Sequence, residues 1–281
     1  MKKIFFLLAL LLLLFLGFKF YSWWRRVAWD KEGRINFVIQ TKSVLVLSLI
    51  LSEDKLLILS IPNGIDVEAI HGYGPYRIES VFKLGELEKR GGEFLQDSIQ
   101  EFLGLPLDGY LVTDNDWEFK VEDKKKLVGK RQQTNLNHWD LVQLWWQMKK
   151  ISDSKVTMIE LEPGSTSWEI DEIIGQFFQD KKLTSEDLAI AVLNATERSG
   201  LAYRGAKLIS NIGGRVVEVG GWEENKGNCE LRGKKKYLKS YTAQKIKKIF
   251  DCQWGGEDLA DHRADLVVIL GEAYWRKLNE K

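Results

Sequence analysis

Apolar and polar positions divide this chain into one continuous apolar start and a long body of short alternating runs. Residues 4–18 follow Lys2 and Lys3 as an unbroken apolar run with eight Leu, four Phe and one Ile. On a bilayer-insertion scale these side chains together are worth roughly −4 to −8 kcal/mol. The run alone covers about 22 Å of a ~30 Å hydrocarbon core. Carried on through Phe20, Tyr21, Trp23 and Trp24, with Lys19 snorkelling, it reaches about 31 Å. Residues 1–26 therefore read as a transmembrane helix that anchors the chain. A cleaved signal peptide is the alternative, but it needs a small-x-small site that 16–24 does not offer. The charges flanking the run nearly balance, with Lys2 and Lys3 before it and Lys19, Arg25 and Arg26 at its far end. Charge alone does not choose the orientation, and the short basic start favours an exported body.

In the body, 35–40 with 43–51, and 55–61, are apolar, β-branched runs that predict buried strands around the turn-like Ser52, Glu53 and Asp54. Pro62, Asn63 and Gly64 end the last of them. Apolar residues at Phe94, Leu95, Ile99, Phe102 and Leu103 predict a helix, stopped by Gly104 and Pro106. A strand at 110–112 and a basic, irregular stretch at 124–131 follow. Residues 135–151 repeat Trp139, Val142, Trp145, Trp146 and Met148 at helical spacing, which favours the core for the tryptophans over the alternative of stacking on sugar rings. Next come a strand at 156–161, a loop at 163–167 and a short helix at 168–178. From 188 the order is strand (188–193), helix (200–212), strand (215–219), polar segment, helix (237–250) and strand (264–270). The fold class is α/β: after the anchor at 1–26 come a domain at 34–152, a linker with a short helix at 153–187, and a small α/β domain at 188–278.

Charge and composition narrow the function by exclusion. The 281 residues carry a formal net charge of +1, and no helix-turn-helix pattern stands out, so neither a nucleic-acid partner nor a transcriptional regulator is indicated. Two Cys without a C-x-x-C spacing and three His (His71, His138, His262) give no metal site. Phosphate-loop, nucleophile-elbow and zincin signatures are absent. Segment 229–250 carries eight basic side chains (Arg232, Lys234, Lys235, Lys236, Lys239, Lys245, Lys247, Lys248) against Glu230. They either form a solvated rim around a buried stripe or contact an anionic partner, such as lipid headgroups or a wall polymer.

Two stretches carry a family resemblance. Leu188–Ala202 reads Ala-Val-Leu-Asn-Ala-Thr, three residues, then Gly-Leu-Ala. With Gly213 and Gly214 before 215–219, and Asp265 to Gly271 near the end, it resembles the LytR C-terminal domain. More weakly, 34–152 resembles the LytR–CpsA–Psr (LCP) family of envelope phosphotransferases. Leu59-Ser60-Ile61-Pro62 sits where that family has Ser-Ile-Pro-Arg-Asp, 72–80 where it has Lys-Ile-Asn, Gly91-Gly92 before a helix, and 104–112 at Leu-Gly-Ile and a strand. The resemblance implies a body outside the cytoplasm and a link to polyprenyl-phosphate-carried wall glycans.

The same comparison shows what is missing. The family binds pyrophosphate with arginines and holds Mg²⁺ with carboxylates, and such charge neutralisation is most of phosphoryl-transfer catalysis. Here Asn63-Gly64 replaces Arg-Asp, and 39–43 lacks the expected Asp. Arg77 stands at the family's Lys, and Arg131-Gln132-Gln133 resembles its late Arg-Gln-Gln, although without charge partners that triplet reads as a helix start. Arg77, Arg131 and Gln132 are thus the ligand-binding candidates. The leading expectation is a non-catalytic, membrane-anchored envelope protein, a pseudoenzyme without a cofactor, that binds a wall polymer or envelope partner. The alternative is a transferase with a rebuilt site, using Mg²⁺ and a polyprenyl phosphate. Cys229 opens the segment that reads as the strand before the 237–250 helix, and Cys252 falls just past that helix. A right-handed strand–helix–strand crossover would bring both to one sheet edge, so an exported body would allow a disulfide between them. The alternative is two unrelated small apolar residues.

Overall fold

The computed structural model describes residues 33–114, 116–259 and 262–280. The expected anchor at 1–26 lies outside them. Among the described residues no helix is long and apolar enough to cross a membrane. The α/β class is observed, built on two main sheets and a small hairpin.

Three aliphatic runs make the centre of the first sheet. β1 (Arg34–Gln40), β2 (Val44–Ile50) and β3 (Lys55–Ile61) form an antiparallel meander with Val38 opposite Val46 and Val46 opposite Leu59. Nearly every side chain in them is buried, whichever way it points. Burial on both faces is why the sequence shows continuous apolar runs rather than alternation. β4 (Asp66–Ala69) and β5 (Gly74–Arg77) make the hairpin, followed by α1 (Ile78–Leu87) and α2 (Gly91–Leu103). Gly104, at φ +60°, closes α2 in the left-handed conformation that glycine adopts without strain. β6 (Gly109–Thr113), α3 (Leu127–Lys130), β7 (Arg131–Thr134), α4 (His138–Lys150) and β8 (Val156–Glu160) complete the unit. The strand order is β7-β6-β1-β2-β3-β8, with β6 parallel to β1 and β8 parallel to β3. α1 and α2 pack with Val38, Val46 and Leu59 on one face; α4 packs with Phe37, Leu47 and Ile58 on the other.

Two expectations are corrected here. Arg131-Gln132-Gln133 does not start a helix: it forms β7, whose Gln133 pairs with Val112 of β6. The tryptophans of α4 are not core. Its buried stripe is Leu141, Leu144 and Met148, while Trp139, Trp145 and Trp146 are 38%, 40% and 59% exposed. Helical spacing identifies a face; it does not say which of two apolar faces the sheet will cover.

The chain continues through α5 (Ser167–Phe177) and α6 (Lys181–Glu186). A second sheet contains β9 (Ala189–Asn194), β10 (Arg215–Gly221), β11 (Glu230–Gly233), β12 (Gln253–Gly256) and β13 (Leu266–Leu270) in the order β10-β9-β13-β11-β12. Its helices are α7 (Leu201–Asn211), α8 (Lys235–Leu238), α9 (Tyr241–Phe250) and α10 (Glu272–Asn279). α8 and α9 connect the parallel neighbours β11 and β12. Cys229 precedes β11 and Cys252 precedes β12, and the Gln253 N–H donates to the Cys229 carbonyl at 2.9 Å. The two sulfurs are bonded, with the α-carbons 4.4 Å apart.

The two sheets share one apolar core, in which Val38, Leu95 and Ile99 join Ile190, Val192 and Ile246. A polar seam runs beside it. The Arg34 N–H and the Tyr241 hydroxyl both donate to Asp180 Oδ2, at 3.2 and 2.5 Å. The Arg34 guanidinium donates to the Phe177 carbonyl. Burial lowers its pKa to about 10 despite the neighbouring Asp180 and Glu53. Asp108 accepts from the Asn36 N–H at 2.9 Å and from Lys248 at 2.7 Å, with Lys245 at 3.4 Å.

Candidate functional site

β1, β3, β6 and β8 run in the same direction, so their carboxyl ends form one edge of the first sheet. This is the edge to which the resemblance assigns the phosphate-binding groups. Between β1 and β2 most polar groups find partners within the fold, although the buried Gln40 Oε1 has none among the described residues. Thr41 Oγ1 donates to the Ser43 carbonyl at 2.7 Å, Gln40 Nε2 to the Thr41 carbonyl at 2.8 Å, and Thr113 Oγ1 to the Gln40 carbonyl at 2.9 Å. After β3, the Asn63 amide donates to the Lys42 carbonyl at 3.3 Å. Gly64, at φ +91°, donates its N–H to Glu79 Oε2 at 2.9 Å. This backbone conformation is one that the Asp of the family motif would adopt only with strain.

Arg77 ends β5, donates to the Gly64 carbonyl and pairs with Asp66 at 3.4 Å. Arg131 begins β7 and donates to the Val128 carbonyl at 2.6 Å. Strands β6, β1 and β2 stand between β7 and β3, a separation of about 19 Å at the usual strand spacing. Arg77 and Arg131 therefore belong to different ends of this edge. Gln132, next to Arg131 on β7, is exposed, and strand alternation points it to the opposite side. Sequence reasoning missed Glu79 and Asp66, which partner Gly64 and Arg77. Glu79 left only the signal of an acidic residue in the first turn of an unforeseen helix, and Asp66 begins a four-residue strand too short to stand out. Among the described residues no three or more His, Cys, Asp or Glu side chains converge to hold a metal ion. The residues directly after β1 and β3 carry amide, hydroxyl and ammonium groups rather than carboxylates, and do not fit the carboxylate set that Mg²⁺ chemistry requires.

A cleft of about 370 Å³ opens between the hairpin, α2 and the second unit, lined by Glu68, Phe102, Glu101, Tyr203, Arg204 and Lys207 among others. Burial pushes the Glu101 carboxyl above its ordinary range despite nearby Arg204 and the Tyr274 hydroxyl, which donates to it at 3.2 Å. Burial likewise raises Asp97, although Lys277 sits 2.8 Å away. A carboxyl whose folded pKa is raised costs stability at neutral pH, and the cost is relieved as pH falls through that pKa. Glu101→Gln keeps an acceptor for Tyr274 and removes the buried charge. It should raise the thermal midpoint at pH 7 and leave it unchanged under acidic conditions, as differential scanning calorimetry would read.

The basic segment is largely committed within the fold. Lys245 and Lys248 meet Asp108, Lys235 pairs with Glu257 at 3.5 Å, and Arg232 pairs with Glu230 at 3.0 Å while lying over the Trp222 ring. Lys234, Lys239 and Lys247 face solvent.

No protein-family model matches the chain, and no curated protein matches it. Solved structures, LCP-family proteins among them, do resemble it. Bacillus subtilis TagV is 12% identical, with 52% of this chain and 95% of TagV covered and a TM-score of 0.37. The LytR-CPS2A-psr family protein YwtF (TagT), solved with bound octaprenyl pyrophosphate lipid, is 14% identical, with 52% and 89% covered and a TM-score of 0.38. Lin1025 from Listeria innocua is 12% identical, with 79% of this chain and all of Lin1025 covered and a TM-score of 0.26.

Proposed function

We propose that this chain is a single-pass membrane protein of the cell envelope, with its body outside the cytoplasm. In this reading it is a non-catalytic relative of the glycan phosphotransferases that binds an anionic wall polymer or an envelope partner. The observation that carries the reading is the carboxyl edge of the first sheet. Where the resemblance requires Arg-Asp, Asn63 and Gly64 are tied into the fold by Lys42, Arg77 and Glu79. Three strands separate β7, which Arg131 begins, from β3, and Arg77 binds the Gly64 carbonyl just after β3. The buried Cys229–Cys252 disulfide supports export, because such bonds persist in oxidising compartments. Exposed Lys234, Lys239 and Lys247 offer contacts to an anionic polymer.

Purified full-length protein in a bilayer is expected to show no Mg²⁺-dependent hydrolysis or transfer of a polyprenyl-pyrophosphate glycan above background. Activity that disappears in Arg131→Ala would install the transferase reading in its place. An enzymatic reporter fused after Lys281 is expected to work only outside the cytoplasm, and a cytoplasmic signal would remove the exported body.

A further inference from the structure

α4 is apolar on two faces. Leu141, Leu144 and Met148 are covered by the first sheet. Trp146 stands opposite that stripe at 59% exposure, flanked by Val142 at 53% and Trp139 at 38%. Two lysines follow on the same outer side: Lys149, whose ammonium lies 5.0 Å from the centre of the Trp145 ring, and Lys150, paired with Asp54 at 2.8 Å. A surface helix ordinarily turns charged residues outward, so an outward row of tryptophan and valine needs a covering of its own.

The place of α4 in the fold identifies the covering. Before it, Asn135 accepts from the Tyr110 N–H at the start of β6; at its far end Lys150 meets Asp54 in the β2–β3 turn. α4 therefore crosses its face of the sheet near the amino ends of the parallel strands, and Arg34, the first residue of β1, lies at those same ends opposite Ile50. The apolar run 4–18 and Trp23–Trp24 precede this point in sequence. The stretch 27–32, fully extended, reaches about 20 Å. A bilayer holding the start of the chain would then lie within reach of α4. Tryptophan favours the headgroup layer, where its ring is buried and its N–H stays wet, and the lysines suit anionic lipid.

We infer that the outer face of α4 lies on the headgroup layer of an anionic membrane, with Trp139, Val142 and Trp146 seated among the lipids. This rests on the anchor proposed above, and it assigns the body one fixed side toward the membrane. The test uses the full chain in vesicles of phosphatidylethanolamine and phosphatidylglycerol, carrying a diazirine-labelled phosphatidylglycerol. After irradiation, adducts are mapped by mass spectrometry of tryptic peptides.

Adducts are expected both within 4–24 and within the peptide 132–149. Replacing phosphatidylglycerol by a zwitterionic lipid should weaken the second set. Trp139→Ala with Trp146→Ala should remove most of it while keeping the thermal midpoint, since both side chains point away from the core. Adducts confined to 4–24 would overturn the inference and leave the anchor standing; that is the pattern a protein partner on α4 would produce. Adducts spread evenly over the body would also overturn it. No adducts anywhere would remove the anchor and, with it, this inference. The unmutated map decides the matter even where the double variant fails to fold.

Discussion

Replacing Asp108 by alanine should cost the folded state about 3–5 kcal/mol, the usual loss when one partner of a buried ion pair is removed. The Asp108 carboxylate is 6% exposed and the Lys245 side chain 9%. Without Asp108, Lys245 keeps only the Arg34 carbonyl among the described residues, at 3.0 Å, and the Asn36 N–H loses its acceptor. Chemical denaturation would read the loss as a lower midpoint. Asp108→Leu with Lys245→Met should recover much of it, because the uncompensated charge goes as well. If Asp108→Ala leaves the midpoint unchanged, the seam is not the joint described here.

The pH dependence has a fixed sign. Burial would raise the Asp108 pKa, but Lys245, Lys248 and the Asn36 N–H outweigh it and hold the group below its ordinary value. A depressed folded pKa gives stability that is fully present above the unfolded value of about 3.9 and is lost as pH falls through the folded value. Acid should therefore loosen the contact between the two sheets, while relieving the opposite penalties at Glu101 and Asp97.

Loss of the Cys229–Cys252 bond, by Cys252→Ala or by reduction, should cost about 3 kcal/mol in the chain-entropy model for a loop of this size. The cysteines are separated by 23 positions, and each is 2% exposed, so the native protein should resist reductant until it unfolds. Denaturation with and without a reductant would show the shift. Equal midpoints, or two alkylated cysteines in protein taken from membranes with thiols blocked, would argue against the bond and weaken the exported reading.

The elements that sequence made legible are those buried by simple rules. β1, β2 and β3 stood out because burial on both faces leaves no polar interruptions. α7 and α5 were recognisable from one apolar face bounded by Gly200 or by Thr166, which caps α5 through Glu169. The β4–β5 hairpin and α1 were missed: the hairpin strands have four residues each, too short for a periodic signal. The strand that Cys229 opens is present as β11, whereas β12 was absorbed into a polar stretch, since Gln253 and two glycines look like loop residues until β11 pairs beside them. The expected helix at 237–250 is two helices, because Ser240 caps a new one by accepting from the Ala243 N–H at 3.1 Å. In the candidate site, the replacement of Arg-Asp by Asn63-Gly64 was visible at once. The partners that occupy those positions were not, because Glu79 and Asp66 reach them only through the hairpin.

The position of β1 also has a mechanical meaning. The strand enters directly from the amino-terminal segment and lies inside the sheet, paired over seven residues with β2 and over four with β6. Ladder bonds stand across the strand axis, so tension drawn along β1 from Arg34 loads both ladders in shear and distributes it over many bonds at once. A strand at the sheet margin, pulled sideways, would instead release its bonds one after another. A body tethered at this point is therefore held by the part of its fold best able to resist a pull.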